Sequence, residues 1–134
     1  METRKTTDLW VMTPNDLGAL AKITTQLKAN NVNIESFVAW KEGNTANFRF
    51  LTSDNSKARE LWTKAGYTVK EEPVVLWTTN NRPGMLHEGT TALAEAKVNT
   101  FCSYSSTTSG TNTTTVVFYT DNPDRTNDVL SKLN

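Results

Sequence analysis

The chain carries a near copy of its own first half. The stretch PNDLGALAKI, from Pro14 to Ile23, and the stretch NNRPGMLHEG, from Asn80 to Gly89, hold Gly18 and Gly84 66 positions apart. At the same spacing Trp10 and Val11 meet Leu76 and Trp77, Asn15 meets Asn81, Leu20 meets Leu86, Leu27 meets Leu93, and Val32 and Asn33 meet Val98 and Asn99. Farther along, Gly43 stands 67 positions before Gly110, and Phe48, Phe50 and Thr52 stand 68 before Val116, Phe118 and Thr120. Such drift is expected of an insertion in a surface loop, here the stretch SSTTSGTNTT. An internal repeat of this length constrains the fold more than any single motif.

Both copies spell the same order of elements. DLWVMT is short and rich in β-branched and aromatic residues, which predicts a strand. From Gly18 to Asn30, Leu20, Ile23 and Leu27 recur at helical spacing, with Asn15 or Asp16 placed as a cap. NIESFVAW and TANFRFLT flank the turn-prone KEGN and read as a hairpin. SDNSKARELWTKAG offers Ser53 or Asp54 as a cap, Ala58, Leu61, Trp62 and Ala65 as a buried stripe, and Gly66 as a stop. YTVKE adds a last strand. The second copy runs PVVLWTT, a helix from Gly84 to Lys97, VNTFCSYS, TTTVVFYT, and a helix opened by Asn122 and Pro123. Proline suits a first helical turn, where no backbone donor is lost.

The order βαββαβ implies an α+β fold of two tandem ferredoxin-like units, each an antiparallel sheet with helices on one face. Residues 1–72 form the first unit, and 73–134 form a second that stops before its final strand; EEP, ending at Pro73, is the only candidate boundary. The strand from Val74 to Trp77 would then be an open edge, which predicts an oligomer or a strand borrowed from elsewhere in the chain.

With that order and those glycine turns in place, the sequence resembles a free-standing pair of ACT domains. NRPGMLHEGTTALAEAKVNT is similar to the family's opening, D-R-P-G-x-L and a helix ending in G-x-N-I. NDLGALAKITTQLKANNVNI keeps the glycine, the following leucine and the closing VNI. Asn81 departs from the family's usual Asp, and Arg82 aligns with Asp16, so the two loops differ in charge preference.

The resemblance implies a regulatory protein rather than an enzyme. It implies a small-molecule ligand, typically an amino acid, bound where paired units meet. It also implies self-association as a homodimer or higher homo-oligomer. The implied contacts are Asn15, Asp16, Gly18, Ala19 and Leu20 in the first copy, with Asn81, Arg82, Gly84, Met85 and Leu86 in the second. Asn33 and Ile34, and Asn99 and Thr100, in the turn after the helix, would face the same site across a paired interface.

Elementary chemistry agrees: a helix N-terminus offers unpaired N–H groups to a carboxylate, and glycine lets a ligand approach the backbone. Plainer readings stand beside these. The Asn and Asp side chains would equally serve as helix caps, the glycines would equally let a helix pack closely on the sheet, and Asn33 and Asn99 would equally be turn residues. A scaffolding module with empty pockets is the alternative function.

Composition narrows the field. The 134 residues carry 14 basic and 14 acidic side chains, with no excess of positive charge to hold phosphates. The tryptophans, Trp10, Trp40, Trp62 and Trp77, therefore read as packing residues rather than a platform for stacked bases. Nucleic acid and membrane are not expected partners, since no apolar run approaches the roughly 20 residues that span a bilayer. A single cysteine, Cys102, and a single histidine, His87, leave no expected metal or cofactor site and no catalytic pair. Without a secretory leader or a disulfide pair, the sequence points to the cytoplasm. Trp40, whose counterpart is Ser106, is expected to mark an asymmetric contact between the units.

Overall fold

The duplication persists at the level of individual backbone hydrogen bonds. A computed structural model describes residues 2–107 and 110–133. It contains β1 (Glu2–Pro14), α1 (Ala19–Ala29), β2 (Ile34–Glu42), β3 (Thr45–Thr52), α2 (Asn55–Lys64), β4 (Thr68–Asn80), α3 (Met85–Glu95), β5 (Thr100–Ser106), β6 (Thr113–Thr120) and α4 (Pro123–Ser131). In the first copy the Asn15 N–H donates to the Asn44 carbonyl at 2.8 Å, and in the second the Asn81 N–H donates to Asn112 at 2.8 Å. Both helices that follow end in the same way. Asn31 and Lys97 take left-handed φ of 58° and 60°, and the Val32 and Val98 N–H groups reach back to Leu27 and Leu93 at 3.0 and 2.9 Å, the hydrogen bond of a Schellman cap. Even the bulge at the start of the hairpin repeats, between Ile34 and Ser36 and between Thr100 and Cys102.

The hairpins account for the drift in spacing. β2 and β3 are joined through Gly43, at a φ of 58°, and Asn44. The β5–β6 loop is longer, and two of its residues, Thr108 and Ser109, lie outside the described residues.

The chain divides into two compact units. The first is 8–72, with strands in the order β2-β3-β1-β4 and every pair within β1, β2 and β3 antiparallel. The second has the order β1-β4-β6-β5, with antiparallel β4–β6 and β5–β6 pairs. Chain order assigned the N-terminal residues to the first unit, but the structure groups residues 2–7 with 73–133. The place beside β4 that the sequence left open is thus taken by the start of β1. Its Lys5 donates to Asp124 Oδ1 at 2.7 Å, at the head of α4. This is the borrowed-strand solution, and its driving force is the row of backbone donors and acceptors that β4 would otherwise leave without a ladder partner.

Lys5 holds its proton above the usual 10.5, first because Asp124 accepts its hydrogen bond and second because the carboxylate attracts it. The contribution is therefore complete below the ordinary lysine value and fades as pH rises through the raised one.

Each unit has its own core. In the first, Leu9, Val11, Ile23, Leu27, Phe48, Phe50 and Trp62 are buried together. Trp62 also donates its indole N–H to the Ile23 carbonyl at 3.0 Å. In the second, Val75, Trp77, Met85, Leu93, Val116, Phe118 and Leu130 fill the same space. The repeat shows how volume is conserved. Where the first unit has Val11 and Ile23, the second has Trp77 and Gly89, and where the first has Trp62 the second has Leu130. A large ring is accommodated by deleting a side chain opposite it, as dense interiors require.

Gly89 therefore lies under Trp77: a Cβ added there would sit 2.5 Å from Cζ3 of the indole. Gly89→Ala gains about 1 kcal/mol of helix propensity but overpacks a rigid ring at a cost of about 1–3 kcal/mol. A lower midpoint in thermal unfolding is the expected result, and an unchanged or raised midpoint would refute the packing argument.

Candidate functional site

The two strand-to-helix turns begin with the same conformation. Gly18 and Gly84 are the N-cap residues of α1 and α3, at φ of 81° and 90°. No side chain caps either helix, so Asn15, Asp16 and Asn81 are not the caps that the sequence suggested. Backbone carbonyls do part of that work: Ala19 donates to Asp16 at 3.1 Å and Met85 to Arg82 at 3.3 Å. Nor do the glycines serve close packing, because a Cβ at either position would meet nothing within 4 Å. What requires glycine here is the positive φ, costing other residues roughly 1–2 kcal/mol.

A cavity of about 480 Å³ opens on the first turn. Asn15, Asp16, Leu17, Gly18, Ala19 and Leu20 form one side, and Ala39, Trp40, Lys41, Ala46 and Phe48 the other. The hairpin contributes through strand alternation. Ala39 pairs with Phe48 and Lys41 with Ala46, and Ala46 and Phe48 belong to the core beneath α1, so Ala39 and Lys41 lie on the helix-bearing face. Trp40 points the other way and stacks on Trp10 with ring centroids 6.4 Å apart. Asp16 and Lys41 are exposed, and among the described residues neither forms an ion pair. Sequence reasoning found the turn but missed the hairpin wall.

The second turn borders a smaller space of about 150 Å³, lined by Asn81, Arg82, Met85 and Leu86 with Trp77, Thr79, Ser105, Thr107, Thr114 and Val116 among others. Met85 is buried in the core, whereas Leu86 is exposed. Arg82 is held by Glu88, donating to both carboxylate oxygens at 2.9 and 3.0 Å. Thr107 Oγ1 donates to Thr114 Oγ1 at 2.6 Å across the hairpin.

The residues at the far end of each helix are not brought to the glycine turn of their own unit. Asn33 and Ile34 line a different hollow of about 340 Å³ with Thr24, Leu27 and Lys28, and the 11 residues of α1 separate them from Gly18. Their backbone is already committed. Asn33 donates to Ser53 Oγ at 2.9 Å and accepts from the Ser53 N–H at 2.9 Å. Asn99 likewise donates to Asp121 Oδ1 at 2.9 Å and accepts from the Asp121 N–H at 3.0 Å. Thr100 opens β5 opposite Thr120. Among the described residues no cluster of His, Cys, Asp and Glu is arranged to hold a metal, and no helix is long and apolar enough to cross a membrane. His87 lies on α3 and Cys102 on β5.

A family described as the ACT domain pair matches residues 5–134, and the chain belongs to that family. Among solved structures it is similar to protein BT0572 from Bacteroides thetaiotaomicron, with a TM-score of 0.89 at 24% identity over 98% of this chain and 90% of that one. The aspartokinase alpha and beta subunits align with a TM-score of 0.68 at 15% identity, over 98% and 96% of the two chains. The ligand-free regulatory subunit of aspartate kinase from Thermus thermophilus gives 0.66 at 11% identity, over 97% and 95%. At these identities the likeness is one of fold. No curated protein sequence matches the chain.

Proposed function

We propose that this protein is a non-catalytic regulatory module of the cytoplasm that binds an amino acid and passes on its presence through self-association or a partner. The observation that carries the reading is the cavity at the first glycine turn. There an anionic side chain, Asp16, and a cationic one, Lys41, border one space beside the head of α1, which no side chain caps. A helix N-terminus favours a carboxylate, and oppositely charged neighbours suit a zwitterion. Membership of the ACT domain pair family and similarity to a regulatory subunit of aspartate kinase support the same reading. The hollow formed by Leu20, Ala21, Thr24, Ile34, Phe37 and Phe50, in which Leu20 and Phe37 are exposed, offers apolar surface for association.

Thermal unfolding against the free amino acids tests the proposal. A compound present at 100 times its dissociation constant adds about 2.7 kcal/mol of stability, and Gly18→Val should remove that gain while costing only the backbone strain of the turn. If no amino acid raises the midpoint, the reading fails. Sedimentation with and without the active compound tests the output: the mass should change on saturation when self-association is the signal, and a constant mass would leave a partner as the output.

A further inference from the structure

The repeat allows the two glycine-turn cavities to be compared side chain by side chain, and apart from Val116 in place of Phe48 they have diverged in one direction. Ala19 is replaced by Met85, Ala39 by Ser105, Lys41 by Thr107, Ala46 by Thr114, and Asp16 by Arg82. Each exchange in the second unit removes room or removes a free charge. Met85 puts a buried side chain where Ala19 leaves space. Thr107 and Thr114 close on one another at 2.6 Å. Arg82 is neutralised by both oxygens of Glu88. The remaining 150 Å³ lies well below the roughly 300–1,000 Å³ of ligand pockets, whereas the first cavity, at 480 Å³, lies within that range.

We infer that recognition is confined to the first unit, and that its ligand is an α-amino acid with an uncharged, apolar side chain. Lys41 and the head of α1 receive the carboxylate, Asp16 receives the ammonium, and the wall of Ala39, Ala46 and Phe48 takes the side chain. This rests on the amino-acid reading above and narrows it. The exclusion of charged side chains follows from that wall: Ala46 and Phe48 are buried apolar residues, and placing an ion against them forfeits its hydration without supplying a partner. The second unit has turned the equivalent space into part of its own structure.

Isothermal titration of the full chain with L-leucine, L-phenylalanine, L-aspartate and L-lysine decides the matter, together with 4-methylpentanoate and isopentylamine, which each lack one pole of leucine. The expected result is one L-leucine or L-phenylalanine per chain, with at least a tenfold loss for the charged amino acids and for either single-pole analogue. Lys41→Met and Asp16→Asn should each weaken L-leucine about tenfold, and Lys41→Arg should restore most of the loss. Both positions are exposed, so circular dichroism should show both variants folded. Two ligands per chain would overturn the confinement. A preference for L-aspartate or L-lysine would overturn the class, and affinity indifferent to Lys41→Met would overturn the assignment of the carboxylate. Absence of heat with every amino acid would instead remove the parent reading and this inference with it.

Discussion

Replacing Arg49 with methionine is expected to destabilise the protein by about 3–5 kcal/mol, because it removes one partner of a buried ion pair. Arg49 Nε and Nη2 donate to the two oxygens of Asp8 at 2.8 and 2.7 Å. The side chains of the pair are 2% and 0% exposed. The guanidinium also lies 5.7 Å from the Trp10 ring centroid. The fork matches a carboxylate in both geometry and charge, so no neutral side chain replaces it in part. Removing both charges should be much milder: a buried ion pair replaced by apolar residues of similar volume is often neutral or stabilising. The double variant Asp8→Leu with Arg49→Met is therefore expected to recover most of the loss. Urea unfolding of the two single variants and the double one closes the cycle. A loss under 1 kcal/mol for Arg49→Met, or a double variant no better than the worse single, would show that the pair is not coupled as its geometry implies.

That ion pair also marks where the sequence stopped being informative. Nothing in the spacing of Asp8 and Arg49 ties them together; strand pairing across 41 positions does. The elements themselves were legible because their signals are local. Leu20, Ile23 and Leu27 show helical period, TANFRFLT is dense in strand formers, and Gly66 stops a helix at a φ of 91°. The duplication then multiplied each weak signal by two and supplied the fold. Of Ser53 and Asp54, Asp54 caps α2, and Asn122 caps α4, accepting from the Lys57 and Arg125 N–H groups at 3.0 Å.

The candidate site was legible only on its helix side. Asn15 to Leu20 are contiguous and carry a recognisable pattern, so their common location was visible. Ala39, Lys41, Ala46 and Phe48 enter through hairpin register, and Lys41 in particular looks like an ordinary exposed strand residue until Ala46 is known to pair with it. Asn15, Asp16 and Asn81 were open to a capping reading because Asn and Asp are favoured caps; a glycine in left-handed geometry displaced them from that role. Trp40 drew notice as an unmatched aromatic residue, and its partner is Trp10 of the same unit. Reading parity along β2 would have placed it away from the cavity. The dual membership of β1 was signalled only by the expected open edge at Val74 to Trp77.

Deleting residues 2–7 should therefore damage the second unit rather than the first, although those residues precede the first in the chain. The segment neighbours β4 and groups with 73–133. Its removal costs several ladder hydrogen bonds at about 1 kcal/mol each, besides the burial they accompany. The Lys5–Asp124 contact adds little, since both side chains are largely exposed and screened. The expected pattern in native-state hydrogen exchange is faster exchange in β4 from Pro73 onward, β6 and α4, with α1, β2 and β3 retaining their protection. A freed β4 edge is also a template for another chain, so the deleted protein should gain mass with concentration in sedimentation. A peptide of residues 2–7 added in excess should reverse both effects if it reoccupies the edge. Uniform exchange across the two units, or protection in β4 and β6 untouched by the deletion, would mean that the start of β1 does not complete the second fold.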